Sequence, residues 1–198
     1  MTVWSAPHPV WPIPLDALAM RIGASDLSAA RQADETNASQ EFEAFFQEHQ
    51  RAIFSYLWRM TGDEQTGYDL CQETFLRAWR NFEKVTTYER PQMWLFRVAT
   101  NLALTEQGRQ RSATSLASVP EPATSDPAMR IVEHAAVREA LAALQPRYRA
   151  ALILRAVHGF TGEELAKALG MSLGAAKMAV SRARAQFAAQ HAQRNGDA

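Results

Sequence analysis

Lys177, Met178, Ser181, Arg182 and Arg184 gather fixed positive charge, hydrogen-bond donors and one soft apolar group on a short stretch, and no acid occurs between Met171 and Arg194. That chemistry suits a nucleic-acid duplex. Arg and Lys donate to guanine edges and to phosphates, and a small hydroxyl can serve either base. Such groups reach a groove only if a helix holds them clear of its own packing face. Ala176, Val180, Ala183 and Phe187 recur at helical spacing and predict that packing face, leaving the other five residues away from it.

The preceding residues must position this helix. Thr161 and Glu164 stand three apart ahead of an apolar run, which predicts a reciprocal capping box at the start of a first helix. Leu165, Ala166 and Leu169 share one face of it, and Gly170 suits a left-handed C-cap. Ser172 can cap the second helix, and the small Ala166 and Ala176 allow the two to cross closely. Thr161 to Arg184 therefore reads as a helix-turn-helix. The segment alone leaves three uses open: DNA binding, a helix-turn-helix used for protein contacts, or a helical hairpin with a solvated basic face.

Composition narrows the setting. The 198 residues could form one ordinary domain or two small ones, and 47% hydrophobic with 21% charged residues is a soluble globular balance. The net charge of zero conceals a polarity: residues 131–198 hold nine Lys and Arg against five Asp and Glu, so residues 1–130 carry a surplus of four acids. Positive field is thus concentrated around the suspected DNA-reading helix. The single Cys71 excludes an intramolecular disulfide and a cysteine metal cluster, and among apolar neighbours it predicts a buried, inert thiol in a reduced, cytoplasmic setting. No run approaches the roughly 18 apolar residues of a membrane span. Pro7, Pro9, Pro12 and Pro14 interrupt the N-terminus, so no secretory signal is expected.

Along the chain, residues 1–40 read as an extension, with docking through Trp4, Trp11 or Leu18 and plain disorder both open. From Glu41 the pattern becomes helical: Phe42, Phe45, Phe46, His49, Ile53, Tyr56, Leu57 and Met60 make one face, which ends at Gly62. His49 there reads as a packed core residue. A second helix is expected from about Glu64 to Trp79, with Leu70, Cys71, Phe75 and Trp79 inward and Asp69, Glu73 and Arg77 outward. A loop from Asn81 to Arg90 precedes Pro91, which suits the first turn of a third helix reaching about Gln107. Gly, Ser, Thr, Ala and three prolines between Gly108 and Met129 mark a linker. Four more helices follow, over Ile131–Leu144, Arg147–His158, Thr161–Leu169 and Leu173–Gln190. The expected fold is all-α: two small helical domains, 41–110 and 131–190, joined by a flexible linker over 111–130, with a tail at 191–198.

Several separate motifs in this order carry a resemblance. DLCQETFLRAWR (Asp69 to Arg80) is similar to a D-x-x-Q-E-x-F-x-x-A-[WY] segment, and WLFRVATNLA (Trp94 to Ala103) to a W-L-[YF]-R-[IV]-A-x-N segment. Both belong to bacterial RNA polymerase sigma factors of the extracytoplasmic-function (ECF) group, in the sigma-70 family. The stretch from Ala140 to Arg184 resembles the fourth sigma domain of that family over its whole length, and residues 41–190 are covered altogether.

The resemblance implies roles that residue patterns alone do not assign. Asp69, Gln72, Glu73 and Arg77 would dock on the coiled coil of the polymerase β′ clamp. Lys84, Val85, Tyr88, Trp94, Arg97 and Asn101 would open the minus-ten promoter element and capture an extruded base, by stacking, edge hydrogen bonds and backbone cations. Lys177, Met178, Ser181 and Arg182 would read the minus-thirty-five element, with Arg184 on phosphate, and apolar positions of the second domain would receive the β flap. The implied partners are core RNA polymerase, promoter DNA and an anti-sigma factor. No catalytic residue, metal or cofactor is implied.

The chain departs from the family pattern in places. Gly174-Ala175-Ala176-Lys177 stands where Gly-Thr-Val-Lys is frequent, Tyr68 where an acid often precedes Asp69, and Thr105 near a frequent Asp. The basic run after the third helix is reduced to Arg109 and Arg111 around Gln110. An alternative is a sigma-like mimic that binds an anti-sigma factor without directing transcription, and another is a helix-turn-helix repressor. The retained Lys177, Arg182 and Arg184 disfavour the mimic, and the Asp69–Arg80 and Trp94–Asn101 blocks disfavour the repressor.

Overall fold

The computed structural model describes residues 29–114 and 131–195, and among them every regular element is a helix. In chain order these are α1 (Ala29–Thr61), α2 (Glu64–Trp79), α3 (Phe82–Thr86), α4 (Pro91–Thr114), α5 (Ile131–Ala142), α6 (Pro146–Ala156), α7 (Gly162–Leu169) and α8 (Leu173–Asn195). Residues 1–28 of the expected extension and 115–130 of the expected linker lie outside the described residues.

The first helical module is built on the stripe of α1. Phe42, Phe46, Ile53, Tyr56, Leu57 and Met60 are buried, as their spacing predicts. The helix begins at Ala29 rather than Glu41, because residues 29–40 contain no Pro or Gly to stop it. It ends where Gly62 turns left-handed at φ 77, with its N–H donating to the Trp58 carbonyl at 2.8 Å. Asp63 then caps α2, accepting the Thr66 N–H at 2.7 Å. The crossing of α1 and α2 is close: a Cβ added at Gly67 would come within 3.1 Å of the Trp58 backbone. Aromatic edges fill the remaining space, with Phe46 on Phe75 at 4.7 Å between ring centroids and Phe42 on Trp79 at 4.9 Å. Each such buried ring stabilises the module by roughly 1.5–3 kcal/mol relative to an exposed one.

Two further elements of this module differ from the sequence expectation. The loop from Asn81 to Arg90 contains the short α3, whose one buried position is Val85. Helix α4 continues past Gln107 to Thr114. Side-chain pairs support its last turns, since Glu106 accepts Arg109 at 2.7 Å and Gln110 at 3.0 Å. The Arg109 hydrogen bonds hold the Glu106 carboxyl below its ordinary pKa. Across the core, the Tyr56 hydroxyl meets the Thr100 hydroxyl at 2.7 Å, so the largest buried polar group of α1 is satisfied by α4.

The second module is α5 to α8, and Arg149 organises its start. The residue is 8% exposed and its guanidinium donates to the carbonyls of Leu141 at 2.7 Å, Ala142 at 2.7 Å and Leu144 at 3.3 Å. They lie at the end of α5, where carbonyls run out of intrahelical partners, although the Leu141 carbonyl also accepts the Leu144 N–H at 3.1 Å. Burial, and then the nearby Arg111, lower its pKa, but a guanidinium remains charged. Its remaining nitrogen, Nη1, donates to the Met60 carbonyl in the last turn of α1. The two modules are therefore packed together from Glu41 onward.

Candidate nucleic-acid interface

The helix-turn-helix forms as its local sequence predicts. The Thr161 hydroxyl accepts the Glu164 N–H at 3.3 Å while a Glu164 oxygen accepts the Thr161 N–H at 2.7 Å, which completes the capping box of α7. Gly170 is left-handed at φ 62, and the Met171 N–H returns to the Ala166 carbonyl at 3.0 Å. The Ser172 hydroxyl accepts the Ala175 N–H at 3.2 Å and starts α8. Close approach of the two helices also depends on Gly162, where a Cβ would meet Leu173 at 3.1 Å.

On α8, Ala176, Ala179 and Ala183 are buried, while Val180 and Phe187 are half-buried. At about 100° per residue, Met178 and Ser181 point away from that stripe, with Arg182 on one flank and Lys177 and Arg184 on the other. All five are exposed, Met178 by 52%. Tyr148 of α6 reaches the Arg182 Nη1 with its hydroxyl at 3.1 Å. This contact had no signal in the sequence, since 34 residues separate the partners.

A second candidate face runs along α4. Trp94, Arg97 and Asn101 recur at three and four and line one side of it; Trp94 is half-buried and the other two are exposed. Leu95, Phe96, Ala99, Thr100 and Ala103 make the buried side. Lys84 and Tyr88 are exposed on α3 and in the following turn. Val85 is the exception among the expected contacts. It is 0% exposed and fills the core beneath the turn, while its carbonyl accepts the Tyr88 N–H at 3.2 Å. Its side chain packs beneath the turn that displays Tyr88.

The third face lies on α2. Asp69 and Arg77 are exposed, and Gln72 and Glu73 are half-buried, opposite the stripe of Gly67, Cys71, Thr74 and Phe75. Arg77 donates to Glu73 at 2.8 Å, and Asp69 accepts Gln65 at 3.3 Å. Cys71 beneath them is buried, and desolvation pushes its thiol up to about 12, far from nucleophilic.

The modules meet at residues that none of these faces uses. Phe96 of α4 packs edge-on against Phe160 at 5.4 Å, and also against His158 at 4.4 Å. The Arg90 guanidinium, just before α4, pairs with Glu164 Oε1, and both Gln107 and Arg149 donate to the Met60 carbonyl. On the helical wheel of α4, Phe96 and Gln107 lie well round from Trp94, Arg97 and Asn101, so docking leaves that face open. His49 and His158 line the cleft beside this contact. Burial, then the charge of Arg59, pushes His158 down to about 4; burial likewise lowers His49, against a smaller opposing pull from Glu48. Among the described residues no cluster of three His, Cys, Asp or Glu could hold a metal, and no helix is long and apolar enough to cross a membrane.

A helix-turn-helix with an acid-free reading helix, docked on a module that displays separate acidic and aromatic-basic faces, defines a two-module transcription factor. The sequence matches the family described as Sigma-70 region 2 over residues 45–113 and that described as Sigma-70, region 4 over residues 134–187. SigL of Mycobacterium tuberculosis, an ECF RNA polymerase sigma factor, is 31% identical over 140 residues, which cover 68% of this chain and 79% of SigL. The RNA polymerase sigma factor CarQ of Myxococcus xanthus is 32% identical over 153 residues, covering 73% of this chain and 86% of CarQ. Among solved structures, the sigma factor RpoE of Bartonella quintana, in complex with the anti-sigma factor NepR, shares the fold with a TM-score of 0.66 at 23% identity, covering 76% of this chain and 96% of that one. CnrH, in complex with the cytosolic domain of CnrY, matches with a TM-score of 0.56 at 26% identity, covering 82% and 96%.

The chain belongs to the sigma-70 family, as an ECF RNA polymerase sigma factor. It binds core RNA polymerase and directs promoter recognition, promoter melting and transcription initiation.

Proposed function

We propose that the three exposed faces divide the work of initiation. Asp69, Gln72, Glu73 and Arg77 on α2 dock on the coiled coil of the β′ clamp, where an asymmetric charged face fixes register more than it supplies affinity. Lys84, Tyr88, Trp94, Arg97 and Asn101 take the minus-ten element, with cations on the backbone and Trp94, Tyr88 and Asn101 on an unstacked base. Lys177, Met178, Ser181 and Arg182 read the minus-thirty-five element from α8, and Arg184 holds phosphate. The β flap takes apolar positions of the second module, of which Val157 is the most exposed large one among the described residues, at 54%. An anti-sigma protein that covers both modules is the proposed regulator.

The observation that carries this reading is the α4 stripe of Trp94, Arg97 and Asn101, outside the core and clear of the intermodule contact. A packed bundle needs none of those side chains there. The test is reconstitution of the chain with core polymerase and a genomic promoter library. Promoter-dependent transcripts are expected; Glu73→Lys should weaken core binding, and Lys177→Glu should abolish promoter choice while sparing core binding. Absence of initiation on every promoter, together with retained binding to an anti-sigma protein, would establish the mimic instead.

A further inference from the structure

We propose that Tyr148 is a specificity-determining positioning residue, which orients Arg182 toward a guanine edge of the upstream promoter element. Tyr148 sits in the first turn of α6 beside the buried Arg149, and its ring is half-buried. A phenol so placed is a rigid post with few rotamers. Its hydroxyl stands 3.1 Å from Arg182 Nη1, across the packed pair α6 and α8. Arg182 is otherwise a long exposed side chain on the flank of the reading helix, free to point along the phosphates or into the groove.

The tether uses one guanidinium nitrogen and leaves the Nε and Nη2 edge with no partner among the described residues. Two parallel N–H groups on one edge are what guanine O6 and N7 accept. Fixing the third nitrogen from behind orients that fork, so part of the ordering a flexible arginine undergoes on binding is already present. Arg182 then discriminates guanine at one position, where an untethered arginine would add attraction to phosphate without base preference.

This inference rests on α8 reading the upstream element, and the experiment separates the two. Holoenzyme reconstituted with core polymerase is assayed on a library randomised through the upstream element, for the wild type, Tyr148→Phe, Arg182→Ala and the double variant. Arg182→Ala is expected to erase a guanine preference at one position. Tyr148→Phe should relax the same position by about threefold to tenfold, the size of one ordinary hydrogen bond. It should leave other positions, core affinity and the melting midpoint unchanged, and add nothing in the Arg182→Ala background. If Arg182→Ala relaxes one position and Tyr148→Phe relaxes none, the tether is overturned and the reading of α8 stands. The tether is overturned too if Tyr148→Phe relaxes every position with a lowered melting midpoint, or if Arg182→Ala weakens all sequences equally. If both Arg182→Ala and Lys177→Glu leave promoter preference intact, the reading of α8 fails and the tether with it.

Discussion

Arg90 and Glu164 join the two modules through a carboxylate that already has a local task. Glu164 Oε1 accepts the Arg90 guanidinium, while Oε2 accepts the Thr161 N–H at 2.7 Å and closes the capping box of α7. The start of the helix-turn-helix and the approach to α4 are thereby tied to one side chain. On the proposed reading, in which α4 and α8 take two separate promoter elements, this pair is expected to separate when both are bound at once.

The cap and the intermodule pair can be separated by substitution. Glu164→Gln keeps a residue able to complete a capping box but removes the charge that Arg90 meets. It should lengthen the distance distribution between fluorophores on α2 and α8, with a stability change under about 1 kcal/mol, because Arg90 is 44% exposed and the pair is screened. Glu164→Ala should lengthen it similarly and cost about 1 kcal/mol more through the lost cap. Arg90→Glu, which places two acids together, should open the chain furthest. Identical distributions for all four proteins would show that the ion pair does not hold the modules.

Arg149 contributes stability of a different size. It is 8% exposed and bonds four backbone carbonyls, those of Leu141, Ala142, Leu144 and Met60. Arg149→Met preserves much of the stem but removes the Ala142 and Leu144 carbonyls' donor, while Leu141 keeps the Leu144 N–H and Met60 keeps Gln107. A loss of about 3 kcal/mol or more in denaturant unfolding is expected. Arg149→Lys should recover only a minor part, since three donors on one nitrogen cannot reproduce the guanidinium fork. A loss below about 1 kcal/mol for Arg149→Met would mean that water satisfies the carbonyls.

His158 gives the fold a pH dependence whose sign is fixed by its environment. Burial and the nearby Arg59 put its folded pKa at about 4, below the unfolded 6.5, and its Nε2 has no hydrogen-bond partner among the described residues. The neutral ring is the folded form, so its contribution is fully present above pH 6.5 and is lost as pH falls toward 4. Between pH 8 and pH 5 the loss is about 2 kcal/mol. His158→Phe, which keeps a ring against Phe96, should flatten unfolding free energy over that interval. An unchanged slope would place the titration elsewhere.

The parts of the fold read from sequence are those set by local chemistry. Gly62, Thr161, Glu164, Gly170 and Ser172 mark helix ends, and each acts within a few residues of itself. The stripe of α1, and Ala176 and Ala183 on α8, follow from period alone, whereas Ala179 is buried in addition and Val180 and Phe187 only in part. The short α3 is hidden because five residues make too little period to separate from a loop, and the burial of Val85 is hidden with it. The intermodule contact was illegible for another reason. Phe96 and Phe160 are each ordinary buried aromatics of their own module, and no pattern in the chain says that they meet. The Tyr148–Arg182 contact is hidden in the same way.

Arg184 and Met178 should differ in kind when tested on DNA. On the proposed assignment Arg184, exposed on the flank of α8, holds phosphate, while Met178, 52% exposed opposite the buried alanines, meets base edges. Removing one phosphate contact removes one released counterion, so Arg184→Ala should weaken promoter binding by holoenzyme equally across upstream sequences. It should also reduce the slope of log affinity against log salt by about 1. Met178→Ala should leave that slope unchanged and alter the ranking of upstream sequences, because an apolar contact to a thymine methyl carries no charge. If Arg184→Ala changed the ranking and left the slope intact, the two residues would have to exchange roles on the helix.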